Sequence, residues 1–151
     1  MNLLFVCSGN TCRSAMAAAV MDKIVTENDM DIYVDSAGLF AADGDKASEN
    51  AVTAMARRGI DLSAHRSKRV TPELVKSADL VLTMTDIQKQ IFEQMGYDLS
   101  NIFTLKEYLG IEGDIEDPYG GDEAVYDETA DELYDLLVDA AEKIADKYGL
   151  T

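Results

Sequence analysis

Residues 6–14 read VCSGNTCRS, a stretch that holds both cysteines of the 151-residue chain together with a glycine, an asparagine and an arginine. Cys7 and Arg13 have five residues between them, the C-x5-R arrangement. An apolar run precedes the stretch and a run of helix formers follows it, so the thiol stands where a strand gives way to a helix N-terminus. Unpaired N–H groups and the positive end of a helix dipole favour anions there. Beside a guanidinium they favour the sulfur anion too, and the thiolate is the nucleophilic form of cysteine. Gly9 and Asn10 tolerate positive φ, which lets the loop curl until its amides converge. Arg13 can hold two phosphoryl oxygens at once, which lysine cannot match, and it can follow the charge of a loose phosphoryl-transfer transition state. These residue types in this order point to attack on phosphorus by Cys7. The bland alternative makes Cys7 a small buried apolar group and Arg13 a surface residue, but the loop meets every requirement of the chemistry at once. A nucleotide-binding Walker loop is ruled out, because G-x-x-x-x-G-K-[ST] is absent and no lysine precedes Lys23.

Cys7 alone cannot finish such a reaction, since a departing alkoxide or amine needs a proton. The segment EDPYGG offers Asp117: Pro118 fixes the local backbone, Tyr119 can wall a cleft, and the two glycines let the chain turn. Glu116, Asp114 and Asp122 compete for the role, and residue chemistry alone leaves that choice open.

The elements that must position these groups can be read from pattern. NLLFV over residues 2–6 is a buried strand, and the spacing predicts a helix over 14–28 with Ser14 as its cap. A second strand covers 31–38, and a helix covers 47–59, closed by Gly59. TPELVKSA, with proline in its first turn, starts a short helix; strands follow over 79–85 and 101–105. Apolar Ala130, Leu133, Leu137, Ala140, Ile144 and Tyr148 recur at steps of three and four, giving a long amphipathic helix over 123–148. Strand-helix alternation implies an α/β fold with a parallel sheet covered on both faces, and ligands in such sheets sit beyond the carboxyl ends of the strands. Residues 1–151 are expected to form a single domain, with no repeat or linker and with one long irregular segment, 110–121.

Composition narrows the function classes. The net charge is −16, and residues 111–151 carry 14 acids against 2 bases. That balance denies the basic footprint a nucleic-acid binder needs, although HRSKR over 65–69 could meet one phosphate group. The longest apolar stretch, AMAAAVM, is far too short to span a bilayer, so no membrane partner and a cytoplasmic location are expected. Two cysteines in a reducing compartment do not make a disulfide framework, and one histidine leaves too few ligands for a zinc site; no metal or cofactor is expected.

FVCSGNTCRS, VDSAG, ADLVLTMT and DPYGG occur in this order along nearly the whole chain, and through them the sequence resembles the low-molecular-weight protein tyrosine phosphatase family. The resemblance implies a three-layer α/β fold with a four-stranded parallel sheet flanked by helices, of phosphotyrosine protein phosphatase I-like, flavodoxin-like topology. It implies Cys7 as nucleophile, Arg13 as phosphate clamp and Asp117 as general acid. Ser8, Gly9, Asn10, Thr11, Cys12, Ser14 and Tyr119 would line the phosphate and its carrier. Asn10, Ser14 and Ser36 would form a network holding the loop in shape, with His65 as a scaffold residue tied to Asp35. The chain departs from many relatives in having Ala15 for proline and Ala18 for glutamate; the first change costs a helix little.

Thr11 stands where tyrosine-specific members carry a bulky aliphatic residue, so the chain looks like the protein-arginine phosphatase branch, although Tyr119 takes the place of that branch's usual phenylalanine. A hydroxyl at the mouth suits the N–H groups of phosphoarginine, whereas an aliphatic residue would favour an apolar ring. The expected partners are phosphorylated proteins, and the protein is expected to act as a monomer. The alternatives are a tyrosine phosphatase, an arsenate reductase or a phosphoprotein-binding module with a dead loop. Arsenate reduction passes oxidation on to further thiols, yet no cysteine follows Cys12. Cys12 could instead capture an oxidised Cys7 as a disulfide.

Overall fold

The computed structural model describes residues 1–150. Its elements run β1 (Asn2–Cys7), α1 (Arg13–Glu27), β2 (Tyr33–Gly38), α2 (Glu49–Ala56), α3 (Pro72–Ser77), β3 (Leu80–Thr83), α4 (Asp86–Gln94), β4 (Ile102–Thr104), α5 (Leu105–Tyr108) and α6 (Glu123–Tyr148). The strands form one parallel sheet in the order β2-β1-β3-β4. β1 is central, and its pleat sends alternate side chains to opposite faces. Leu3, Phe5 and Cys7 pack with α1 and α6; Leu4 and Val6 pack with Val75 of α3 and Phe92 of α4. With helices on both faces, β1 is apolar on both, which is why NLLFV reads as a continuous run rather than an alternating one. Cys7 pairs with Gly38 and Val6 with Thr83, so the carboxyl ends of β1, β2 and β3 meet at one rim.

The described architecture agrees with the expected fold class, with differences in detail. Ser14 does not cap α1. The chain is already helical at Arg13, the cap position belongs to Cys12, which makes no side-chain capping bond, and Ser14 is fully buried one residue further on. α2 ends earlier than expected, at Ala56, and Gly59 makes a left-handed turn three residues later. α4 and α5 were not anticipated, although each begins with a legible capping box: Thr85 with Gln88, and Thr104 with Glu107. Among the described residues no helix is long and apolar enough to cross a membrane.

Candidate active site

At the rim, residues 7–13 together with Asp117 and Tyr119 line a cavity of about 170 Å³. The loop is held from every side through Asn10, which is completely buried and has φ of 56°, a left-handed conformation that asparagine accepts more readily than most residues. Its side-chain amide donates to the Ser14 hydroxyl at 2.8 Å and to the Ser36 hydroxyl at 2.9 Å, and its Oδ1 accepts the Lys68 N–H at 3.0 Å. Its backbone N–H points at Cys7 Sγ, 3.3 Å away, and its carbonyl accepts from His65 Nε2 at 2.7 Å. The Ser14 hydroxyl lies 2.9 Å from the same sulfur. Cys7 therefore faces an amide and a hydroxyl, both of which can donate to a sulfur anion.

β2 lets the loop come this close because residue 38 is glycine. A Cβ there would stand 2.7 Å from the Ser8 carbonyl and 3.0 Å from the Asn10 nitrogen. On the other side Gln88, in the first turn of α4, accepts the N–H groups of Met84 and Thr85 through Oε1 and donates to the Ser8 hydroxyl at 3.3 Å. Gln88 and Lys68 were not foreseen as loop supports. The capping box marks Gln88 locally, but nothing in the sequence says that it reaches a residue eighty positions earlier.

The expected tie between His65 and Asp35 is absent. Asp35 instead takes the Lys68 ammonium at 2.6 Å and the Ser36 N–H at 2.8 Å, while His65 turns to the Asn10 carbonyl. An ammonium within reach of a carboxylate makes the stronger, charge-assisted bond and displaces the imidazole. His65 and Lys68 of the basic stretch thus brace the loop, and Arg66 is spent on the Ser63 and His65 carbonyls.

Arg13 is nearly buried, and its guanidinium spans to the acid loop, residues 114–121. It donates to the Ile115 carbonyl at 3.0 Å and lies 3.6 Å from Asp117 Oδ2. Among the acids that competed for the proton-donor role, Asp114 accepts the Asp86 N–H at 2.9 Å and Asp122 caps α6 through the Val125 N–H at 3.1 Å. Glu116 lies in a neighbouring groove, and Asp117 alone of the four lines the cavity that holds Cys7.

Thr11 also lines the cavity, half-buried, with its carbonyl fixed by the Ser48 N–H at 3.0 Å. Cys12 is turned to the back of the loop. Its thiol donates to the Ser48 hydroxyl at 3.4 Å and meets the Tyr126 hydroxyl at 3.3 Å. Both cysteines are free. Burial, and then the contact with Cys12, push the Tyr126 hydroxyl up to about 12 from its ordinary 10.0.

A parallel α/β sheet with a cysteine-to-arginine loop at its rim defines a class, and comparison with known proteins places the chain within it. The chain belongs to the family described as low molecular weight phosphotyrosine protein phosphatase, whose model matches residues 2–148. It is 45% identical to the protein-arginine-phosphatase of Bacillus subtilis, over 95% of this chain and 97% of that one. A solved structure of the YwlE arginine phosphatase, a cysteine-to-serine variant with a phosphorylated active-site serine, superposes with a TM-score of 0.95 at 43% identity and covers both chains completely. The low molecular weight protein tyrosine phosphatase of T. tengcongensis superposes with a TM-score of 0.92, also at 43% identity, covering 95% of this chain and 99% of that one.

Proposed function

We propose that the protein is a cysteine-dependent protein phosphatase that removes phosphate from arginine side chains of other proteins. The observation that carries this reading is the cavity in which Cys7, Arg13, Thr11 and Asp117 meet. In the first step the Cys7 thiolate attacks phosphorus in line with the leaving nitrogen. The S–P bond forms as the P–N bond breaks, and Asp117 gives its proton to the departing guanidine nitrogen. Arg13 leaves Asp117 to take two equatorial oxygens of the phosphoryl group, and the loop amides take the remaining charge. In the second step Asp117, now a carboxylate, accepts a proton from water as that water attacks phosphorus. Phosphate departs, and the sulfur recovers its electron pair as a thiolate. The Ser14 hydroxyl, 2.9 Å from Cys7 Sγ, stabilises that returning charge. The phosphorylated serine in the variant of the similar YwlE protein supports a covalent intermediate at the loop nucleophile.

Curated relatives named for arginine are 42–45% identical to the chain and several named for tyrosine 33–38%, and Thr11 gives the substrate reading its physical reason. Its hydroxyl can accept from the N–H groups of a phosphorylated guanidinium, and a hydrogen bond involving a charged partner contributes roughly 1.5–3 kcal/mol. The protein is read as a monomer working in the cytoplasm. Thr11→Ile is expected to lower the ratio of phosphoarginine to phosphotyrosine hydrolysis at least about tenfold, which follows from losing one such bond. Side-by-side kinetics on the two phosphopeptides check this, and equal ratios in parent and variant would leave the arginine reading without support.

A further inference from the structure

The nucleophile loop and the acid loop come from opposite ends of the chain, and one helix touches both. Ser48, immediately before α2, donates its N–H to the Thr11 carbonyl at 3.0 Å, and its hydroxyl accepts from the Cys12 thiol at 3.4 Å. Two residues on, the side-chain amide of Asn50 donates to the Gly121 carbonyl at 3.2 Å. Gly121 closes the acid loop: its N–H donates to the Pro118 carbonyl at 2.8 Å, and a Cβ at this position would lie 2.9 Å from that oxygen and from Val125. Next along, the Tyr119 N–H donates to Asp117 Oδ1 at 3.0 Å. A continuous set of short contacts therefore runs from α2 through Gly121 and Pro118 to the Asp117 carboxylate. Among the described residues, the contact this carboxylate makes outside its own loop is with Arg13, 3.6 Å away, a partner that turns to the phosphoryl group in the proposed mechanism. The Asn50 contact does not depend on substrate.

We propose that Asn50 is a positioning residue for the proton transfer, fixing the acid loop against the nucleophile loop so that Asp117 keeps its place above Cys7 when Arg13 turns to phosphate. This rests on the reading of Asp117 as the acid. Asn50 touches neither substrate nor the reacting atoms; it acts through the Gly121 carbonyl. Ion pairs from Arg57 and Arg58 to Glu123, Asp127 and Asp131 hold α2 to the start of α6, so α2 is a firm base for the contact.

The proposal predicts a defect that scales with the need for a proton. Asn50→Leu keeps the bulk of the side chain and removes the donor. Single-turnover formation of the phosphoenzyme is measured with phenyl phosphate, whose leaving group needs protonation, and with 2,4-dinitrophenyl phosphate, whose leaving group does not. Asn50→Leu is expected to slow the first by about tenfold and the second by less than about twofold, a loss on the scale of misplacing a general acid rather than deleting it. Asn50→Ala, which removes the donor without adding apolar contacts, should give the same pattern, and Asn50→Gln, which retains the amide, should recover most of the phenyl phosphate rate. Asp117→Asn run alongside separates the two readings. If it discriminates between the substrates while the Asn50 variants slow both equally or neither, the positioning role is wrong and the acid assignment stands. If Asp117→Asn itself shows no discrimination, both fall.

Discussion

The nucleophile loop and the acid loop face each other across one cavity and are built on opposite principles. In residues 7–14 the loop is braced by side chains from around it: Asn10 and Ser14 are fully buried, and contacts arrive from β2, from α4, and from His65 and Lys68. In the acid loop the Asp117 side chain is 55% exposed and Tyr119 is 79% exposed, and the segment is fixed mainly at its two ends, by Arg13 at Ile115 and by Asn50 at Gly121. The contrast fits the role proposed for each half. A loop that stabilises developing charge works best when its dipoles need no reorganisation. An acid that serves a protein-borne leaving group in one step and water in the next has to face solvent.

The largest effect that tests this division is on the buried side. Cys7→Ser is expected to abolish turnover, because an alkoxide leaves phosphorus far less readily than a thiolate and a phosphoserine formed here would not be hydrolysed. Steady-state release of phosphate from an aryl phosphate measures it, and turnover within tenfold of the parent would take the sulfur out of the mechanism. On the exposed side Asp117→Asn should slow the reaction by about 10²- to 10⁴-fold, the usual scale for one positioned acid, without loss of phosphate affinity. Unchanged turnover and burst in this variant would move the role to another group.

The smallest test concerns the back of the nucleophile loop. Tyr126 is held neutral up to about 12 in the folded chain, against 10.0 for an ordinary tyrosine. Below pH 10 both folded and unfolded states keep the proton, so the stabilisation is whole. As pH rises from about 10 to about 12 the unfolded tyrosine ionises first, and stability declines by up to about 3 kcal/mol. Denaturation midpoints measured across this window should fall less steeply in Tyr126→Phe. The same slope in both proteins would mean that the hydroxyl against Cys12 is not held neutral by burial.

The two loops also differ in how far the sequence disclosed them. VCSGNTCRS places nucleophile, turn residues and arginine within one helix-entry loop, so their chemistry can be inferred from spacing alone. Asp117 could not be separated from Asp114, Glu116 and Asp122 by residue type, and the family resemblance was needed to favour it. The fold shows where the others go: one accepts the Asp86 N–H, one lies in a neighbouring groove and one caps a helix. Ser14 was misread as a cap because a serine before an apolar helical run is a local signal, and its burial beside Cys7 depends on how deeply β1 sets the loop. His65 was assigned to Asp35 without regard to Lys68, which lies nearer in charge and reach.

By itself the sequence determined the strand-helix alternation, the apolar run of β1, the stripe of α6 and the content of the loop over residues 7–14. These depend on period, on positive-φ tolerance and on residues a few positions apart. Only the tertiary structure decided which acid faces Cys7, which side chains hold Asn10, and that α2 joins the two loops. Apart from the bond to Ser14, those contacts join residues far apart in the chain, 26 positions between Asn10 and Ser36 and 102 between Arg13 and Ile115. Packing of helices on a parallel sheet sets such distances, and no local propensity encodes them.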